Sequence, residues 1–167
     1  MADSPSETDQ PETEAAQSAP QAFTFMVNAQ YIKDFSFENP RAPNSLIATK
    51  EQPQVEVNVN VSAKALRENL YEVALAIRVD AKAADEPAFI TELVYAGVFT
   101  IINLSEEQLR PMLLIECPRI LFPFARRIIG DATRDGGFPP LLINPIDFAD
   151  LYRRQYALEQ QPVAGQA

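Results

Sequence analysis

The chain has 167 residues, 14 Lys+Arg against 23 Asp+Glu, a formal net charge of −9, no His, no Trp and one Cys. Without His, a Ser-His-Asp triad, a Cys-His pair and closed zinc ligation by nitrogen and sulfur are all excluded. The acidic balance weighs against nucleic acid and against direct insertion into or docking on an anionic membrane, because both need Lys and Arg or a long apolar span.

Residues 1–21 hold Asp3, Glu7, Asp9, Glu12 and Glu14, with Pro5, Pro11 and Pro20 and no Lys or Arg. That composition cannot bury enough apolar area to offset ordering entropy, so a disordered acidic tail is expected there. It lacks the basic and apolar regions of a secretory signal. The body, 22–160, keeps a charge of −4, and 161–167 reads as a second short tail. The first strand is expected where Phe23, Phe25, Val27, Ala29 and Tyr31 alternate with polar residues. Residues 33–53, with Pro40, Pro43 and Pro53, read as a long connection. Gln54–Ser62 is a strand whose Val55, Val57, Val59 and Val61 share a face that should meet a core. Asn69–Ala81 alternates again through Tyr71, Val73, Leu75, Ile77 and Val79. Ala83–Pro87 is a turn, and a fourth strand from Ala88 to Asn103 completes a hairpin. Gly97 within it marks a bulge or a close approach.

Beyond Asn103 the period becomes helical. Ser105–Gln108 has the spacing of a capping box. Pro111, Pro118 and Pro123 suggest broken or kinked helical pieces. From Arg119 to Thr133 two stripes recur at helical spacing, Ile120/Phe124/Ile128 and Leu121/Ala125/Ile129/Ala132. Asp135-Gly136-Gly137 stops the helix, and Pro145-Ile146-Asp147 opens a last one bearing Phe148, Leu151, Tyr152 and Tyr156. Strands first and helices second give an α+β fold with a four-stranded antiparallel sheet followed by helices. The third and fourth strands are apolar on their second faces too, through Leu70, Ala74 and Ala76 and through Ile90, Val94 and Ala96. Such a sheet needs a second cover, for which another copy of the chain is the preferred candidate.

Site signals are sparse. Asp34 and Glu38, on one side of an extended segment, would stand ~13 Å apart, wider than a glycosidase pair. Asp80, Asp85 and Glu86 flank the turn, where they read as solvated carboxylates, with a cation site as the alternative. Cys117 has no local base and cannot form an intrachain disulfide, which fits a reducing, cytoplasmic setting. Arg126-Arg127 reads as a basic patch facing the chain's own carboxylates. No metal, cofactor or catalytic set is indicated, so an enzyme is not expected. Phe35, Phe37, Phe122, Phe124, Phe138 and Leu141 are core residues or the lining of a groove for extended apolar peptides. A binding protein, a scaffold oligomer and a carboxylate-only hydrolase remain open on these grounds.

The chain resembles the SecB family of protein-export chaperones. The resemblance rests on Tyr31-Ile-Lys-Asp-Phe-Ser-Phe-Glu-Asn-Pro40, Leu70-Tyr-Glu-Val73, Gly97-Val-Phe99, Cys117-Pro-Arg-Ile-Leu-Phe-Pro-Phe-Ala-Arg126, Gly137-Phe-Pro-Pro-Leu141 and Pro145-Ile-Asp-Phe-Ala-Asp-Leu-Tyr152. It covers nearly the whole body in order. It implies a homotetramer, a dimer of dimers, that holds unfolded secretory precursor proteins without ATP and delivers them to the translocase ATPase SecA. It places Asp34, Glu38, Ile90 and Glu92 on the SecA-facing surface, and Thr91, Leu93 and Tyr95 at the contact between dimers. It draws a client groove from Phe35 and Phe37 and from apolar residues of the last helix; the apolar set above is the expected lining of that groove. Against the family pattern, the acidic N-terminal tail is longer, and the C-terminal tail is short and lacks acid after Glu159. The family's zinc belongs to SecA, which agrees with the lack of zinc ligands in this sequence.

Overall fold

Alternating apolar residues over long runs give four strands. In a computed structural model of the chain, which describes residues 22–47 and 52–159, these are β1 (Thr24–Glu38), β2 (Gln54–Arg67), β3 (Leu70–Ala83) and β4 (Glu86–Ile102). The two tails expected from composition lie outside the described residues. All neighbours are antiparallel, in the order β1-β4-β3-β2. β3 and β4 are joined by a two-residue turn in which Ala84 and Asp85 have φ of 51° and 62°.

β1 departs from the simple alternation. Its register slips between Val27 and Ala29 and again between Ile32 and Asp34, leaving Asn28 and Lys33 as bulge residues. Each bulge reverses the phase of the strand. Phe25 and Val27 therefore lie on one face, while Ala29 and Tyr31, expected beside them, lie on the other. The strand also continues to Glu38. Phe35 and Phe37 are strand residues, paired with Leu93 and Thr91, and not part of a connection. Among the described residues a short helix, α1 (Asn44–Ile47), follows before β2.

The helices cover one sheet face. α2 (Glu106–Pro111) passes through a π-helical turn at Met112–Glu116 into α3 (Cys117–Asp135). The prolines thus produce one altered turn in a continuous run rather than separate pieces. Ser105 supplies backbone acceptors to Gln108 and Leu109, but its hydroxyl meets the Gln108 side chain, so the capping-box spacing does not yield a side-chain cap. α3 ends at Asp135; Gly137, with φ of 89°, adopts the left-handed conformation that follows. Asp147 accepts a hydrogen bond from the Asp150 amide at 3.0 Å and starts α4 (Phe148–Glu159).

Of the two α3 stripes, Leu121, Ala125 and Ile129 are fully buried against the sheet, whereas Phe124 remains 44% exposed. Under them lie Val73, Leu75, Ile77 and Val79 of β3 and Phe89, Thr91, Leu93, Tyr95 and Phe99 of β4. Each large side chain buried here stabilises by about 1.5–3 kcal/mol. Gly97 marks the close approach: a Cβ there would stand 2.9 Å from the Leu121 side chain. The β2 valines correct an expectation. Val61 is buried and Val59 partly so, but Val55 and Val57 are exposed, because β2 is an edge strand whose far end no helix reaches.

Candidate functional site

The face of the sheet opposite the helices is open, and its centre is set by register. Glu92 on β4 lies between Ser36 of β1 and Arg78 of β3. One step to either side along β1, Asp34 pairs with Val94 and Glu38 with Ile90. The alternation of strands then puts Asp34, Glu38, Ile90 and Glu92 on this one open face, with the carboxylates of β1 diagonal to Glu92. The four residues expected on a partner-facing surface are therefore brought together. Thr91, one residue from Glu92, points to the covered face and donates its hydroxyl to the Ser36 carbonyl at 2.8 Å, tying β1 to β4 at this point.

Two residues of the site escaped the sequence reading. Arg78 and Asp80 interrupt an apolar strand and lie on the open face. Arg78 donates to Asp80 from Nε at 2.8 Å and from Nη2 at 2.9 Å, and to Glu92 from Nη1. Asp80 is thus a strand residue held by an arginine and not a turn residue. The signal was a charged pair two residues apart on the β3 face that also carries Leu70, Ala74 and Ala76. Beside this cluster is a depression of about 300 Å³, lined by Asp34, Asn58, Asn60, Ala76, Arg78 and Glu92 among others.

Further along the same face is a second carboxylate of different character. Glu72 is only 8% exposed. It accepts hydrogen bonds from the Tyr31 hydroxyl and from Lys33 Nζ at 2.9 and 3.0 Å, and it pairs with Lys64 at 3.1 Å. The Tyr31 and Lys33 donors hold its carboxyl at about 2, and the contact pushes the Tyr31 phenol up to about 12.

The six apolar candidates are not brought into one groove. Phe37 stacks on Phe89 with centroids 5.7 Å apart, and Phe89 meets Phe138 at 4.9 Å. Phe122 is buried and packs edge-on against Phe148, so it belongs to the core. Phe35 and Phe124 remain 40% and 44% exposed, with Phe124 stacked on Tyr95. Leu141 is half-buried against the core. Thr91, Leu93 and Tyr95, expected between dimers, are buried on the covered face by the chain's own helix.

Cys117 is fully buried, and burial, with Glu116 nearby, pushes its thiol up to about 12, which suits packing and not reaction. Arg126 and Arg127 make no ion pair among the described residues, so the expected meeting of this patch with the chain's own carboxylates is not seen; it is Arg134, further along α3, that pairs with Asp131 and Asp135. Among the described residues no group of three potential metal ligands occurs, and no helix is long and apolar enough to cross a membrane.

Comparison with known proteins identifies the family and the fold. The family model for preprotein translocase subunit SecB matches residues 16–159. A protein-export protein SecB from Rhodospirillum centenum is 53% identical over 140 residues, 83% of each chain. One from Rhodopseudomonas palustris is 56% identical over 139 residues, covering 81% of this chain and 86% of that protein. Among solved structures, a Mycobacterium tuberculosis SecB-like chaperone, in complex with a ChAD peptide from the HigA1 antitoxin, superposes with a TM-score of 0.60 at 14% identity, over 73% of this chain and 90% of that one, which shows a shared fold. With a family match over most of its length and relatives above half identity, the chain belongs to the SecB family of protein-export chaperones.

Proposed function

We propose that this chain is an ATP-independent holdase of the cytoplasm. It acts as a homotetramer, a dimer of dimers, binds unfolded secretory precursors through apolar surface and hands them to SecA through the open sheet face. It performs no chemical step. The observation that carries this reading is the division of labour across one sheet. Carboxylates Asp34, Glu38 and Glu92 share the open face with Ile90, while half-exposed aromatics, Phe35 and Phe124, remain on the covered side. Carboxylates on a flat surface suit fast, salt-sensitive docking of a basic partner. Exposed aromatics suit non-native chains, whose apolar side chains are unburied. The ChAD peptide bound by the mycobacterial chaperone supports client binding on this kind of scaffold.

Assembly has its own support. The Phe124 side of α3 is incompletely covered within one protomer, and a second copy would bury it. Thr91, Leu93 and Tyr95 then act on assembly through the helix they carry, not by touching the partner directly.

The test separates holding from delivery. Asp34→Arg and Glu92→Arg lose SecA binding at low salt but still suppress aggregation of an unfolded precursor, without nucleotide, at one tetramer per client. Normal SecA binding by both variants would reject the docking face. Failure of the wild-type protein to suppress aggregation would leave a scaffold tetramer as the better reading.

A further inference from the structure

The docking carboxylates are not equivalent. Among the described residues Asp34 and Glu38 form no ion pair, whereas Glu92 already holds a cation. That cation is Arg78, delivered by strand register directly opposite Glu92. Arg78 is also gripped from the other side, because Nε and Nη2 form a fork on the two oxygens of Asp80 at 2.8 and 2.9 Å. One guanidinium thus bridges two carboxylates, leaving one donor group on Glu92 and two on Asp80.

Side chains of Arg78 and Glu92 are each close to half exposed, at 48% and 45%. A pair this exposed is held only weakly, because water screens both charges, so an incoming cation can replace it. Replacement does not require Arg78 to lose all its partners, since the Asp80 fork retains it. The depression of about 300 Å³ beside the pair offers a place for the newcomer. Ala76 and Val94 line it for an aliphatic stem, Asp34 and Glu92 line it for a charged head, and Asn58 offers an amide acceptor. Yet Arg78 lines the same depression, and two cations there repel each other.

Resting on the docking face proposed above, we infer that Arg78 is an internal competitor for Glu92. It lowers the affinity of this face for cations in general and favours a partner Arg or Lys side chain that reaches Asp34 as well as Glu92. Arg78 is a specificity-determining residue of the docking surface and not a mere strut of the sheet.

The experiment is titration of purified SecA into the full chain at about 50 and 300 mM salt, two conditions that differ strongly in screening. Arg78→Gln and Arg78→Thr remove the competitor, and both should bind SecA about three- to tenfold more tightly at the lower salt, an advantage that shrinks at the higher. Arg78→Lys keeps the charge but loses the fork on Asp80, and should bind more tightly than wild type yet less tightly than the neutral variants. In the Arg78→Gln background, Glu92→Gln should weaken binding more than it does in the wild-type chain. Wild-type or weaker binding by both neutral variants, with Asp34→Arg still abolishing the complex, would overturn the competitor while leaving the docking face standing. Normal binding by Asp34→Arg and Glu92→Arg would remove the docking face itself and the inference with it.

Discussion

β3 and β4 show opposite behaviour on their two faces. Towards the helices, Val73, Leu75, Ile77, Val79, Leu93 and Phe99 are closed to solvent and touch one another and α3. On the open side the same strands carry Arg78, Asp80 and Glu92. Glu72 is the exception there: it is buried and surrounded by Tyr31, Lys33 and Lys64. The contrast between Glu72 and Glu92, on adjacent strands of one face, separates structural from functional carboxylates. A carboxylate enclosed by several donors is committed to the fold. One that shares a single half-exposed donor can exchange it for a partner's.

The strongest blow to this arrangement falls on the covered face. A Cβ at Gly97 would lie 2.8 Å from the Phe99 ring and 2.9 Å from Leu121. Both neighbours are fully buried beneath α3, so the Phe99 ring, the Leu121 side chain or α3 itself must shift. Gly97→Ala should therefore lower stability by about 1–3 kcal/mol, read as an earlier midpoint in chemical denaturation. An unchanged midpoint would mean that α3 does not sit tightly on β4.

Glu72 comes next. Glu72→Gln keeps the shape but gives up the charge that Lys33 and Lys64 face, and about 1–2 kcal/mol of stability should go with it. Acid provides an independent check. The folded carboxyl at about 2 lies below its ordinary 4.5. Its contribution is therefore complete above about 4.5 and fades as pH falls toward 2. The stability gap between wild type and Glu72→Gln should close across that window. At the alkaline end, Tyr31 at about 12 is raised above its usual 10, so the wild-type contact also weakens as pH climbs from 10 towards 12. A gap that stays constant between pH 5 and pH 2 would contradict the assigned network.

The order of elements and the antiparallel sheet were legible because β3 and β4 alternate without interruption, and Asp135-Gly136-Gly137 stops α3 where the spacing indicated. What misled was local. Asn28 and Lys33 bulge out of β1 and switch its face twice, which a strict period of two cannot register. Val55 and Val57 have a perfect core pattern but sit on an edge strand; strand order is a long-range property that alternation does not encode. The position of Asp34, Glu38, Ile90 and Glu92 on one face followed from family resemblance and is supported by register. Arg78 was missed because a charge on a strand reads as ordinary solvation until its cross-strand neighbour is known. The aromatic set was over-grouped: Phe122 faces Phe148 in the core while Phe124, two residues on, faces outward, as helical geometry requires of positions ~100° apart per residue.

The smallest stability effect should belong to Glu92, a carboxylate that nonetheless acts in docking. Glu92→Gln removes one exposed contact to Arg78, whose fork on Asp80 remains. The folded protein should lose no more than about 0.5 kcal/mol, with a denaturation midpoint close to wild type. SecA affinity should nonetheless fall, and its salt dependence should flatten, because one of the charges that attracts the partner is gone. Glu72→Gln should give the reverse pattern: a less stable protein that, while folded, docks normally. Taken together the two variants decide whether stability and delivery are separable on this face. If Glu92→Gln destabilises as much as Glu72→Gln, then Arg78 and Glu92 form part of the scaffold, and Glu92 is not free to exchange partners.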